Sequence, residues 1–211
     1  MGIEHEALIR PAFMTNLRSL LSFDAEWLVI EELGVENGAA RIDVAAVGSS
    51  VFGFEIKAAA DSLGRLHRQV EHYDRLVDYA YLVCTENHTE GAQRVLPEGW
   101  GIIVTTAENG EIRFSVERPA RRNLNRHAES LARLLWRGEV LAVLGALGLD
   151  RGVKRKSAKA LHCHLATCVG IDQLGEMVLD RLLRRESWGT RLRQPTYMEQ
   201  LTATGDGLPS R

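Results

Sequence analysis

Cysteine is scarce and unevenly placed: Cys84, Cys163 and Cys168 are the only three in 211 residues. They are too few and too irregular for a disulfide framework, and a reducing cytoplasm is the natural expectation. An excess of either charge is also lacking, since 26 Lys and Arg face 28 Asp and Glu for a formal net charge of −2. No global basic field exists, so contact with nucleic acid must come from local clusters. No apolar run reaches the roughly 18 residues of a membrane-spanning helix, and the N-terminus has no basic-then-apolar signal pattern. A soluble, cytoplasmic protein without a membrane partner is expected. A G-x4-G-K-[ST] loop is missing too, which weakens any reading as a nucleotide-hydrolysing enzyme.

What is present is enough apolar sequence, 45% of residues, to bury a sizeable core. Glu6, Ile9, Phe13, Leu17 and Leu20 or Leu21 recur three to four apart, the period of an amphipathic helix, which Pro11 either starts or kinks. Three strand-like runs follow, 27–33, 39–47 and 51–56, joined by short turns into an antiparallel meander. A helical period from Leu63 to Ala80 leads to two further apolar strands, 81–85 and 101–106, with a polar loop or short helix between them. Residues 111–116 can pair back through the hairpin dipeptide Asn109-Gly110. This order predicts an α/β core with a mixed sheet over residues 1–118. Helical segments at 124–137, 139–147, 158–168 and 174–185 predict a small helical subdomain over 119–190. Residues 191–211 read as a flexible tail, whose end from Thr202 to Arg211 holds Gly, Pro, Ser and Thr with little to bury.

Charged groups break the apolar pattern at one place. Asp43 lies within RIDVAAV and Glu55 and Lys57 within VFGFEIK, where a carboxylate in a partly buried strand is costly unless something compensates it. Glu55 and Lys57 share one face of their strand because side chains alternate. Eleven residues separate Asp43 from Glu55, which suits neighbouring strands joined by a tight turn. Opposed in this way, the two acids can share a hard divalent cation, with the Ile56 carbonyl as a third oxygen ligand and Lys57 beside the attacking water or the scissile phosphate. The bland alternative is a solvated strand face, because E-x-K recurs by chance.

Gln69 and Tyr73 stand four apart on one face of the following helix. The pattern D-x11-E-x-K followed by Q-x3-Y resembles the PD-(D/E)xK nuclease superfamily, in which the Q-x3-Y helix marks the RecB-like branch. More narrowly, VIEELGVENGAARIDVAAV, FGFEIKAAADSLGRLHRQVEHYDRLVDYAYLVC and LPEGWGIIV resemble the sce7726 family within that superfamily. The resemblance covers residues 3–115 strongly and the helical tail loosely. It implies a restriction-endonuclease-like core of order αβββαβ with a C-terminal helical subdomain. It also implies Mg²⁺ or Mn²⁺ at Asp43 and Glu55, Lys57 as the catalytic lysine, and Gln69 and Tyr73 supporting the site or touching the nucleic acid backbone. The proline of the superfamily's name is replaced by Ile42. A further element of the superfamily is an acid from the first helix: Glu6 is the candidate, Glu32 at the end of the first strand its rival, and a surface carboxylate the alternative for both. The expected activity is hydrolysis of phosphodiester bonds in DNA. The alternative is the same fold kept as a non-catalytic nucleic-acid-binding or protein-interaction module, in phage–host conflict or DNA repair.

Lys154, Arg155, Lys156 and Lys159 open a tail helix and are candidate phosphate contacts, with a solvated helix start as the alternative. Arg121, Arg122 and Arg126 form a second basic cluster, and Arg181, Arg184 and Arg185 a third. His162, Cys163, His164 and Cys168 lack the second ligand pair of a zinc site and read as packing residues. Trp27, Trp100, Trp136 and Trp188 read as core or junction residues, with base stacking left open for one of them.

Overall fold

Alternation of apolar side chains in the strand runs, and a period near four in the first helix, produce a sheet with a separate core on each side. The computed structural model describes residues 6–21, 27–185 and 188–192. Helix α1 (Glu6–Leu20) runs through Pro11 and precedes a meander of β1 (Trp27–Val35), β2 (Ala40–Val47) and β3 (Val51–Lys57). Helix α2 (Leu66–Asp74) then crosses to β4 (Tyr79–Thr85), α3 (Glu86–Val95) to β5 (Gly101–Glu108), and a hairpin returns β6 (Glu111–Arg118). The tail holds α4 (Ala128–Ala132), α5 (Arg137–Ala146), α6 (Ala158–Cys168), α7 (Ile171–Leu183) and a short strand β7 (Thr190–Leu192).

The sheet order is β6-β5-β4-β3-β2-β1-β7. The two helical crossovers make β3, β4 and β5 parallel, while the hairpin-joined neighbours are antiparallel. The result is the expected mixed α/β fold. On one side Ile9, Phe13 and Leu17 of α1 cover Val44, Ala46, Phe54, Ile56, Val83 and Ile103. Each of those buried Val, Leu, Ile and Phe side chains contributes about 1.5–3 kcal/mol. On the other side Leu28, Ala45, Val47, Leu82 and Ile102 share one core with Val70 and Tyr73 of α2 and with Leu131, Val140, Leu161, Leu174 and Val178 of the tail helices. The tail helices therefore sit on the sheet's second face. No helix among the described residues is long and apolar enough to cross a membrane.

Several boundaries differ from the sequence-based expectation. Helix α2 stops at Asp74 instead of reaching Ala80, because the Asp78 amide donates to the Val51 carbonyl and the Asp78 carboxylate accepts the Val51 amide, starting β4 early. The segment expected as helix from Leu124 is not helical up to His127. There the Asn123 side chain donates to the carbonyls of Asp74 and Val77 and accepts the Asn125 amide, bonds that compete with helix formation. Asn109 and Gly110 both have positive φ, 51° and 84°, as the expected tight hairpin requires. Of the expected tail, Arg191 and Leu192 pair with Leu28 and Trp27 in β7; residues 193–211 lie outside those described.

Candidate functional site

Strands β2 and β3 pair from Val47–Val51 to Val44–Phe54, and the ladder ends there. The next opposed residues are Asp43 and Glu55, and the hydroxyl of Tyr73 occupies the gap between their strands. It accepts the Asp43 amide at 3.3 Å and lies 3.1 Å from the Phe54 carbonyl and 2.9 Å from Glu55 Oε2, to either of which it can donate its single proton. One residue further on, the Ile56 amide donates to Asp43 Oδ2 at 2.9 Å. A phenol and a carboxylate thus replace the ladder bonds where the acids stand. The Tyr73 ring lies so close over β3 that a Cβ on Gly53 would come within 2.9 Å of it, so only glycine leaves the ring its place.

A second irregularity lies on β1. Pairing with β2 passes from Glu31–Val44 directly to Leu33–Ile42, and Glu32, between them, has φ 57°. A non-glycine residue in that region costs on the order of 1 kcal/mol or more. Alternation resets there: Leu28 and Ile30 face the tail-helix core, and so do Leu33 and Val35. The kink carries Glu32 toward Glu6 of α1 and Asp43 of β2, whose carboxylate oxygens come within 4.8 Å of one another. Arg10 of α1 pairs with Glu6 and with Glu32, and its guanidinium stands 3.8 Å from Asp43 Oδ1. Arg41 also pairs with Glu32.

Glu55 is buried, at 1% exposure, and is held by three groups. Lys57 Nζ lies 2.5 Å from Oε1, the Gln69 amide donates to the same oxygen, and Tyr73 meets Oε2. Asp43 has one strong donor, the Ile56 amide, against more opposition. Burial first, and the neighbouring charge of Glu55 second, push its carboxyl up to about 7, although the Ile56 amide pulls the other way. Burial, with Glu55 and Asp43 beside it, raises the Tyr73 phenol well above its ordinary value, so it remains a neutral donor. Burial works against the charge on Arg10, but the carboxylates of Glu6 and Glu32 outweigh it and hold the guanidinium protonated.

Glu6, Asp43, Glu55, Lys57, Gln69 and Tyr73 line an open cleft of about 550 Å³, together with Arg65, Arg68 and His72. Gln69 Oε1 and His72 Nδ1, both shielded from solvent, have no hydrogen-bond partner there. The four acids Glu6, Glu32, Asp43 and Glu55 offer carboxylate oxygen, which suits a hard divalent cation and not a thiophilic one. Asp43 is common to two groupings, one with Glu55 and the other with Glu6 and Glu32.

All the residues read from the D-x11-E-x-K and Q-x3-Y patterns therefore meet, and the rivals Glu6 and Glu32 both join them. Ile56 presents its amide to Asp43, while its side chain is buried in the α1 core on the other face. Arg10 was missed, because one arginine among several on a helix carries no local signal. Lys154, Arg155, Lys156 and Lys159 are exposed and lie outside this cleft. The second and third basic clusters are partly neutralised: Arg126 pairs with Asp78 and Asp172, Arg184 with Asp180 and Arg185 with Glu139. His162 is buried and bonded to the Leu135 carbonyl, consistent with packing.

A model of the family described as Bacteriophage P4 protein cII matches residues 3–189. Protein cII of Enterobacteria phage P4 is 28% identical over 88 residues, which is 42% of this chain and 33% of that protein. The chain thus matches a third of the length of this relative. Among solved structures, a protein of unknown function from Silicibacter pomeroyi, SPO1766, is 16% identical, with 62% of this chain and 86% of that one covered and a TM-score of 0.36. That likeness is too weak to carry an argument.

Proposed function

We propose that this chain, which belongs to the bacteriophage P4 protein cII family, is a divalent-metal-dependent nuclease with a restriction-endonuclease-like core of PD-(D/E)xK type, cutting phosphodiester bonds in DNA. The observation that carries this reading is the opposition of Asp43 and Glu55 where β2 and β3 part, with Lys57 Nζ 2.5 Å from Glu55. A bound Mg²⁺ or Mn²⁺ supplies a Lewis acid for the phosphate and a more acidic water. Asp43 and Glu55 hold the ion, aided by the Ile56 carbonyl, and Glu6 and Glu32 extend the oxygen set. Lys57 offsets the charge that grows on the phosphate as water attacks and the leaving oxygen departs. Tyr73 and Gln69 fix the orientation of Glu55, which keeps both of its oxygens from swinging. Arg65 and Arg68, which also line the cleft, meet flanking phosphates. A cytoplasmic location accompanies the reading, supported by the free, exposed thiols of Cys163 and Cys168.

One observation favours a second reading. Arg10 already brings positive charge among Glu6, Glu32 and Asp43, which suits a non-catalytic nucleic-acid-binding or protein-interaction module on the same fold. Labelled single-stranded, duplex and circular DNA, incubated with Mg²⁺ or Mn²⁺, separates the two. Cleavage by the wild type that vanishes in Asp43→Ala and Lys57→Ala, with binding retained, supports the nuclease. Binding by all three proteins with no cleavage in either metal selects the module.

A further inference from the structure

Trp136 precedes α5 and is 61% exposed, although large aromatic side chains usually find cover. It also has defined neighbours. Its amide donates to Glu139 at 2.7 Å, and the Arg185 guanidinium lies 4.0 Å from its ring centroid. Arg185 is itself fixed by two bonds to Glu139 and one to the Leu134 carbonyl, and it also lies against Trp188 at 4.2 Å. An exposed indole, backed by a cation that the protein itself immobilises, is a preformed stacking platform.

Next to it stands concentrated positive charge. Arg137, the residue after Trp136, donates to the carbonyls of Lys154 and Lys156 at 2.6 and 3.3 Å. The loop carrying Arg151, Lys154, Arg155 and Lys156 is thereby tied to the start of α5. Lys159 follows in the first turn of α6, which holds no acidic residue there. Cations at a helix N-terminus oppose the helix dipole, so this placement costs stability rather than adding to it. Asp150, paired with Lys154, offsets only part of the charge.

We propose that Trp136 and this basic loop form a binding surface for single-stranded nucleic acid, one base stacking on the indole while Arg137, Lys154, Arg155 and Lys156 contact the adjoining phosphates. A base is free to stack on a side chain only when it has left a duplex, which selects a single strand. The surface goes beyond the cleavage reading and does not depend on it.

The test is a titration of labelled short oligonucleotides in EDTA, so that loss of binding is not confused with loss of cleavage. Single-stranded DNA and RNA, their duplexes and a single strand with abasic sugars are compared. Wild type is expected to bind the single strands more tightly than the duplexes. Trp136→Ala is expected to weaken that binding about ten-fold or more, Trp136→Phe to retain most of it, and the abasic strand to be indifferent to the change. Lys154→Glu with Arg155→Glu lowers affinity and flattens its salt dependence. Equal binding of single strands by wild type and Trp136→Ala, or a preference for duplex, overturns the proposal. Melting temperatures of the variants exclude unfolding as the cause.

Discussion

The Tyr73 hydroxyl lies 3.3 Å from the Asp43 amide, in the place where β3 would otherwise continue its ladder with β2. A side chain from α2 therefore holds open the strands that carry both acids. Tyr73→Phe removes the acceptor of a buried amide and the donor to Glu55. We expect a loss of about 1–3 kcal/mol, read from chemical denaturation, with little change in overall secondary structure.

Gly53 tests the same relationship from below. A Cβ there meets the Tyr73 ring at 2.9 Å and Val77 at 3.0 Å. Gly53→Ala is expected to displace the ring and cost about 1–3 kcal/mol, and its loss should not add fully to that of Tyr73→Phe. A double-mutant cycle in urea measures the coupling.

Asp43 makes stability depend on pH in a defined window. Its carboxyl is raised from 3.8 to about 7 by burial and by Glu55. Between those values the folded protein holds a proton that the unfolded chain has released, so this group lowers stability as pH rises through the window, and the loss levels off above 7. In metal-free protein, wild type should therefore weaken relative to Asp43→Asn between pH 4 and pH 7, by on the order of a few kcal/mol. Denaturation of both proteins across that range measures the difference.

Arg10 compensates charge that a divalent ion could compensate instead. Arg10→Ala leaves Glu6, Glu32 and Asp43 without it. The variant is expected to melt below wild type in EDTA and to gain more than wild type does when Mg²⁺ or Mn²⁺ is added. Thermal melts with and without metal read both effects.

The meander and the hairpin at Asn109-Gly110 were legible because each rests on local period, whereas the grouping of Gln69 and Tyr73 with Asp43, Glu55 and Lys57 was what the resemblance to the PD-(D/E)xK nucleases implied. Strand alternation put Glu55 and Lys57 together, and helical spacing did the same for Gln69 and Tyr73. Long-range compensation was not legible. Nothing near Glu32 announces its φ of 57°, since the nearest glycine is Gly34, and Arg10 gains meaning only when the kink brings Glu32 to α1. The start of the helix expected from Leu124 was likewise not legible, because the partners of the preceding Asn123, Asp74 and Val77, lie far back in the chain.

The most direct measurement is cleavage of labelled DNA by Glu55→Gln beside wild type in Mg²⁺ and Mn²⁺. Glutamine keeps the shape of the side chain and an oxygen for Tyr73 or Gln69, but removes the charge. The protein should stay folded while metal-dependent cleavage falls by orders of magnitude. Cleavage by Glu55→Gln at the wild-type rate, or none by wild type in either metal, would contradict the assignment of hydrolysis to this site.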